Sequence, residues 1–177
     1  MNWWEKAKES EPWWDNPRTG KENVRIGEGS AIAPQAVLDG NGGAIRIGRR
    51  CVISPGAMLL PYGGSISMGD DCSVNPYTIL YGHGGLTIGN GVRIAANTVI
   101  IPANHTIVQP ETPIYQLPCT TKGIRIDDFV WIGSGVQILD GVTIGANSVV
   151  AAGAVVSENI PPNVIVGGVP AKILRKR

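Results

Sequence analysis

Residues 126–156 read IDDFVWIGSGVQILDGVTIGANSVVAAGAVV, and the spacing of the aliphatic residues within them decides the fold. Ile126, Ile132, Ile138, Ile144, Val150 and Val156 recur every six positions. A fixed short period of this kind is the signature of a stacked solenoid, in which each repeat makes one side of a coil. Outward from this stretch, the anchors fall into triplets: Ile26, Ile32, Leu38; Ile47, Ile53, Leu59; Met68, Val74, Leu80; Ile88, Ile94, Ile100; Ile126, Ile132, Ile138; Ile144, Val150, Val156. Six coils of three sides result. Four residues after most anchors stands a small or β-branched residue, such as Ala36, Cys51, Ala57, Cys72, Thr78, Thr98, Val136 or Ala154, which fills a second inward position.

A six-residue side cannot bury a face alone, so each coil must pair with the coils above and below at the strand spacing of roughly 4.8 Å. Gly27, Gly48, Gly69, Gly89, Gly133 and Gly145 follow anchors at corners where a Cβ does not fit. A doubly wound α/β chain would need helical periodicity between strands, and none follows Val24. The expected fold is all-β: a parallel β-helix over residues 24–157, preceded by a Trp-rich segment at 1–23 and followed by a short basic tail at 158–177.

Errors in the spacing locate the functional edge. Coil starts lie 21, 21, 20, 38 and 18 residues apart, from Ile26 through Ile47, Met68, Ile88 and Ile126 to Ile144. Eighteen is the bare coil. Every excess falls after a third side, in segments 39–46, 60–67, 81–87 and 101–125, so one edge carries all the insertions. The longest, stiffened by Pro102, Pro110, Pro113 and Pro118, is a structured loop of the kind that serves function.

Composition agrees. Gly (24) and Pro (13) are abundant in an apolar chain, as tight turns between short strands require. A formal charge of +1 gives no field for nucleic acid, and no apolar run is long enough for a membrane span. MNWWEKAKES lacks the features of a secretory signal, which leads us to expect a cytoplasmic protein. Cys51, Cys72 and Cys119 are odd in number and lack CxxC spacing, so reduced thiols are expected rather than disulfides or a thiolate zinc site.

The stretches MGDDCSVNPYTIL (68–80), TIGNGVRIAANTVIIPANH (87–105), DDFVWIGSGVQILDGVTIGANSVVAAGAVV (127–156) and IPPNVIVGGVPAKILR (160–175) resemble the hexapeptide-repeat acyltransferases, and among them the galactoside- and maltose-type sugar O-acetyltransferases. The resemblance implies a left-handed β-helix, a homotrimer, and acetyl-CoA as co-substrate in the groove between neighbouring subunits, with no metal. It places the family's catalytic histidine on His105 and its acceptor-side asparagine on Asn75. Trp131 takes the place of the WIG tryptophan, the backbone amides of Ser134 and Ala152 those on the pantetheine arm and thioester, and Lys172 and Arg175 the basic contacts to the nucleotide. The chain departs from the pattern at Ser157 and Glu158, where relatives commonly carry Thr-Lys, and at its N-terminus, where MNWWEKAKESEPWWDNPRTG replaces a helical domain.

Acetyl transfer to a hydroxyl requires a group that removes the proton as the oxygen attacks, and imidazole, with a reference pKa of about 6.5, suits that task. His105 is the candidate base; a solvated loop histidine is the plain alternative. The oxyanion needs donors already aimed at it, which corner N–H groups such as that of Ser134 supply. Asn75 either orients the acceptor or the imidazole through its amide, or stabilises a corner turn. His83 lies in the preceding insertion on the same edge and is a candidate substrate contact. Two histidines are too few for the three-histidine zinc site of a γ-class carbonic anhydrase. Cys119 is the one thiol in the loop, and direct transfer does not require it. Trp3, Trp4, Trp13 and Trp14 either cap the first coil or stack on an acceptor. The expected activity is O-acetylation of a sugar, nucleotide-sugar or polysaccharide, with N-acetylation of an amino sugar as the nearest variant and a non-enzymatic scaffold as a different class.

Overall fold

The computed structural model describes residues 21–107 and 111–177; the Trp-rich pairs and Pro110 lie outside the described residues. A short 3-10 turn at Lys21–Asn23 leads into the first coil, whose strands are Val24–Ile26, Ala31–Ile32 and Val37–Leu38. Five further coils repeat this order, ending at Thr143–Ile144, Val149–Val150 and Val155–Val156. Like sides stack in parallel register, so the first sides form one six-stranded sheet and the third sides another. The second sides form an eight-stranded sheet, because pairing continues beyond the sixth coil. Val164–Gly167 lies parallel to Val149–Val150, and Lys172–Lys176 turns back antiparallel upon it. The fold is the expected left-handed parallel β-helix with one long insertion.

The anchor columns make the core. Every anchor residue but Ile26 and Ile32 is buried, as are Cys51, Cys72, Thr78, Thr98 and Ser148 at the second inward positions. Each fully buried Ile or Leu contributes about 1.5–3 kcal/mol relative to exposure. The inward polar atoms are satisfied within the stack: Thr98 Oγ1 donates to the Gly133 carbonyl, and the thiols of Cys51 and Cys72 donate to the carbonyls of Gly69 and Gly89 at 3.1 Å. Corners stack too closely for a side chain at all six of the predicted glycines. A Cβ at Gly48 would fall 2.5 Å from the Gly69 carbonyl, and one at Gly133 would fall 2.6 Å from the Ala152 nitrogen.

The outer faces of the three sides differ in chemistry. Strand alternation turns Arg25, Arg46, Ser67, Thr87, Arg125 and Thr143 outward on the first side. On the third side the outward column is Val37, Met58, Ile79, Val99, Gln137 and Val155, apolar at every level but one. That apolar face is bounded by two edges: the corner between second and third sides, and the corner that carries the insertions.

Candidate active site

The base of the long insertion is fixed at both ends. Where the chain leaves the helix, the Pro102 carbonyl accepts a hydrogen bond from Gly84 N of the preceding corner; where it returns, the Asp140 carboxylate accepts from Lys122 N and Gly123 N. Between these points Asn104–His105 pairs antiparallel with Cys119–Thr120, His105 lying opposite Cys119. Thr106 strengthens the pairing by donating to the Pro118 carbonyl through both N and Oγ1. His105 is exposed at the start of this hairpin, with Cys119 Sγ 3.5 Å from Nδ1.

The hydrogen bond between Gly84 and Pro102 sets the start of the His105 hairpin beside the corner of His83. Burial, and secondarily the repulsion of His105, holds His83 below the usual histidine range. Its ring lies among two others not singled out in the sequence: the centroid is 4.9 Å from that of Tyr62 and 5.8 Å from that of Tyr81, and the two tyrosines stack at 5.6 Å. His83 Nδ1 is buried and makes no hydrogen bond. The signal for the tyrosines was present, since Pro61–Tyr62–Gly63–Gly64 and Tyr81–Gly82–His83–Gly84 both lie in insertions on the edge that carries His105.

Asn75, Ser134 and Ala152 occupy the other edge, at the corners between second and third sides. A single chain therefore does not bring them to His105: the width of the third side separates the two groups. The Asn75 side-chain amide donates to the Ile94 carbonyl at 2.8 Å, supporting the corner below it. Around Ser134 the amides of Gly133 and Gly135 are used, donating to Val150 O and Ala96 O. The N–H groups of Ser134 and Ala152 make no hydrogen bond among the described residues, and both residues are exposed. The corner thus presents outward donors at successive coils, about 4.8 Å apart.

Trp131 stands on the outer face of the second side, between Arg93 and Val149, and is 56% exposed. Lys172 and Arg175 lie on the final antiparallel strand, both exposed. Lys172 Nζ is 3.6 Å from Glu158 Oε2, so the residue at which the chain departs from the family pattern pairs with one of the two expected phosphate contacts. Among the described residues no group of three or more His, Cys, Asp or Glu side chains is placed to hold a metal ion. No described helix is long and apolar enough to cross a membrane.

Comparison with known proteins follows the same lines. The family described as bacterial transferase hexapeptide (six repeats) matches residues 123–158. Galactoside O-acetyltransferase of Escherichia coli K12 is 42% identical over 94 residues, covering 51% of this chain and 44% of the relative. The chain thus spans about half the length of the curated relatives it matches. A hexapeptide-repeat-containing acetyltransferase of Vibrio cholerae, solved in complex with acetyl-CoA, is 32% identical with a TM-score of 0.58, covering 89% of this chain and 73% of that one. The N-acyltransferase AntD of Bacillus cereus shares the fold at a TM-score of 0.76 and 23% identity, covering 89% of this chain and 85% of that one.

Proposed function

The chain belongs to the hexapeptide-repeat acetyltransferases, and from that premise we propose that it transfers an acetyl group from acetyl-CoA to a hydroxyl of a sugar, nucleotide-sugar or polysaccharide, with His105 as general base. The observation that carries this reading is the placement of His105: exposed, held in a hairpin fixed at both ends, and on the edge where all insertions gather. His105 removes the hydroxyl proton as the acceptor oxygen attacks the thioester carbonyl. Outward N–H groups of the Ser134 type receive the developing oxyanion. Collapse of the tetrahedral species breaks the carbon–sulfur bond, and the imidazolium returns its proton to the departing CoA sulfur. Lys172 and Arg175 supply cations for the phosphates of CoA.

Because the base and the corner amides lie on opposite edges of the third side, this site needs a second copy of the chain. In a closed ring of three, the amide edge of one copy meets the histidine edge of the next, and the apolar column from Val37 to Val155 is the face such packing covers. The reading is therefore a homotrimer with one site per interface, working in the cytoplasm where acetyl-CoA is at hand.

The test is to incubate the protein with acetyl-CoA and a panel of sugars, nucleotide-sugars and oligosaccharides, following release of CoA thiol and the mass of the acceptor. An acceptor heavier by one acetyl group on oxygen is the expected result. Acetylation only of amino sugars would move the reaction to nitrogen. Failure to bind acetyl-CoA at millimolar concentration would overturn the reading in favour of a scaffold.

A further inference from the structure

The three rings of Tyr62, Tyr81 and His83 form a ledge that the chemistry at His105 does not use. They occupy two successive corners of the insertion edge: Tyr62 between the second and third coils, Tyr81 and His83 between the third and fourth. The next corner carries His105. Tyr62 is 37% exposed in the single chain although it stacks on Tyr81, so part of its ring remains open toward the proposed groove between copies. Its backbone has φ +45°, a conformation disfavoured for a bulky residue, and the ring is nonetheless kept at the surface. Beside it, His83 carries a buried Nδ1 with no hydrogen-bond partner.

The division along the helix axis gives the ledge a direction. The groups expected to hold the acyl donor, Ser134, Ala152, Lys172 and Arg175, belong to the fifth and sixth coils and the strand beyond them. The rings belong to the second to fourth coils, and His105 lies between the two sets. What approaches His105 from the side of the rings is therefore the acceptor.

Resting on the acetyltransferase reading, we propose that the Tyr62–Tyr81–His83 ledge is an acceptor subsite that selects a glycan of two or more sugar units over a single sugar. Tyr62 lies two corners from His105, roughly 10 Å at the coil spacing, and one pyranose unit advances a glycan by about one such step. With the reacting hydroxyl at His105, the next unit lies over His83 and Tyr81 and the one after it over Tyr62. Because the rings stack on one another, the glycan meets the part of Tyr62 left open and the outer edges of Tyr81 and His83, its C–H faces against the rings and its hydroxyls at the phenol and imidazole edges.

The experiment uses two acceptor series: methyl α-glucoside, maltose and maltotriose, and methyl β-glucoside, cellobiose and cellotriose. For each sugar kcat/KM for acetylation is measured, and for a sugar not turned over its dissociation constant. In at least one series the wild-type chain gains about tenfold or more from one unit to three. Tyr62→Asn, which removes the ring and suits the positive φ, and Tyr81→Ser both abolish the gain. Phe129→Asn, at an exposed aromatic whose φ is also positive but which lies on a different edge, retains it. Equal values for one and three units in both series, absence of binding included, overturn the proposal, and so does a gain that survives in Tyr62→Asn. Acetyl-CoA binding is measured alongside: its absence in the wild type defeats the acetyltransferase reading, whereas acetyl-CoA binding with no dependence on glycan length defeats only the ledge.

Discussion

Cys119 Sγ lies 3.5 Å from Nδ1 of His105 and 3.7 Å from its Nε2, across the register pair that starts the long insertion. The thiol lies against the imidazole within hydrogen-bonding reach of either nitrogen, the donor and acceptor roles being set by the tautomer. On the proposed mechanism the thiol steadies the ring and a nitrogen is left for the acceptor.

Thiol labelling tests this placement. Cys51 and Cys72 are 0% and 2% exposed, and burial pushes the Cys72 thiol up to about 11, whereas Cys119 is exposed. A thiol reagent at pH 8 should modify one of the three cysteines in the folded chain and all of them after unfolding. Carboxamidomethylation of Cys119 should lower acetyl transfer by about tenfold or more, because the adduct displaces the base, while Cys119→Ala should lose only a few-fold. Unchanged turnover after modification would remove Cys119 from the site.

The repeat made the coils, the burial of the anchors and the insertion edge legible, since a six-residue period fixes which residues face inward whatever the surroundings. Ile26 shows its limit: the periodicity assigns it to the core, yet it is 47% exposed, because the first coil has a neighbour on one side only among the described residues. The pairing of Val164–Gly167 was hidden for a different reason. Ile160 follows Val156 after four residues, so the period breaks where the stacking does not. Inside the long insertion no repeat sets the register, and the His105–Cys119 pair is written only in the folded chain. That the corner of Asn75 and the hairpin of His105 stand on different edges follows from counting sides; what lies across the third side does not.

Corner packing makes a prediction about stability. Gly48→Ala would force a Cβ to 2.5 Å from the Gly69 backbone, and rigid stacked backbone has little room to yield. The substitution should cost about 1–3 kcal/mol or more by denaturant unfolding. Gly42→Ala, where nothing lies within 4 Å and only the φ of +67° opposes a side chain, should cost about 1 kcal/mol. Equal effects at the two positions would contradict the packing account.

Glu158 should weaken the hold on the acyl donor. It pairs with Lys172 in solvent and adds a negative charge near the expected phosphate contacts. Glu158→Gln should therefore lower KM for acetyl-CoA by on the order of two- to fivefold with kcat unchanged, the gain shrinking as salt is added. A higher KM would mean that Glu158 positions Lys172 for its task.

The proposed sharing of the site between copies predicts rescue by mixing. His105→Ala and Ser134→Pro, which removes the amide N–H, should each be inactive alone. Unfolded together in equal amounts and refolded, they should recover about one quarter of wild-type activity, the fraction of interfaces in a random ring that join two intact edges. No recovery, with refolding of each chain demonstrated, would place the whole site within one copy.

His105 as the base for the acceptor hydroxyl is tested by kcat for acetyl transfer in His105→Ala, measured beside the variant's affinity for acetyl-CoA. Transfer should fall by about 100-fold or more while the folded chain binds acetyl-CoA as the wild type does. Turnover close to wild type in the folded variant would contradict the account.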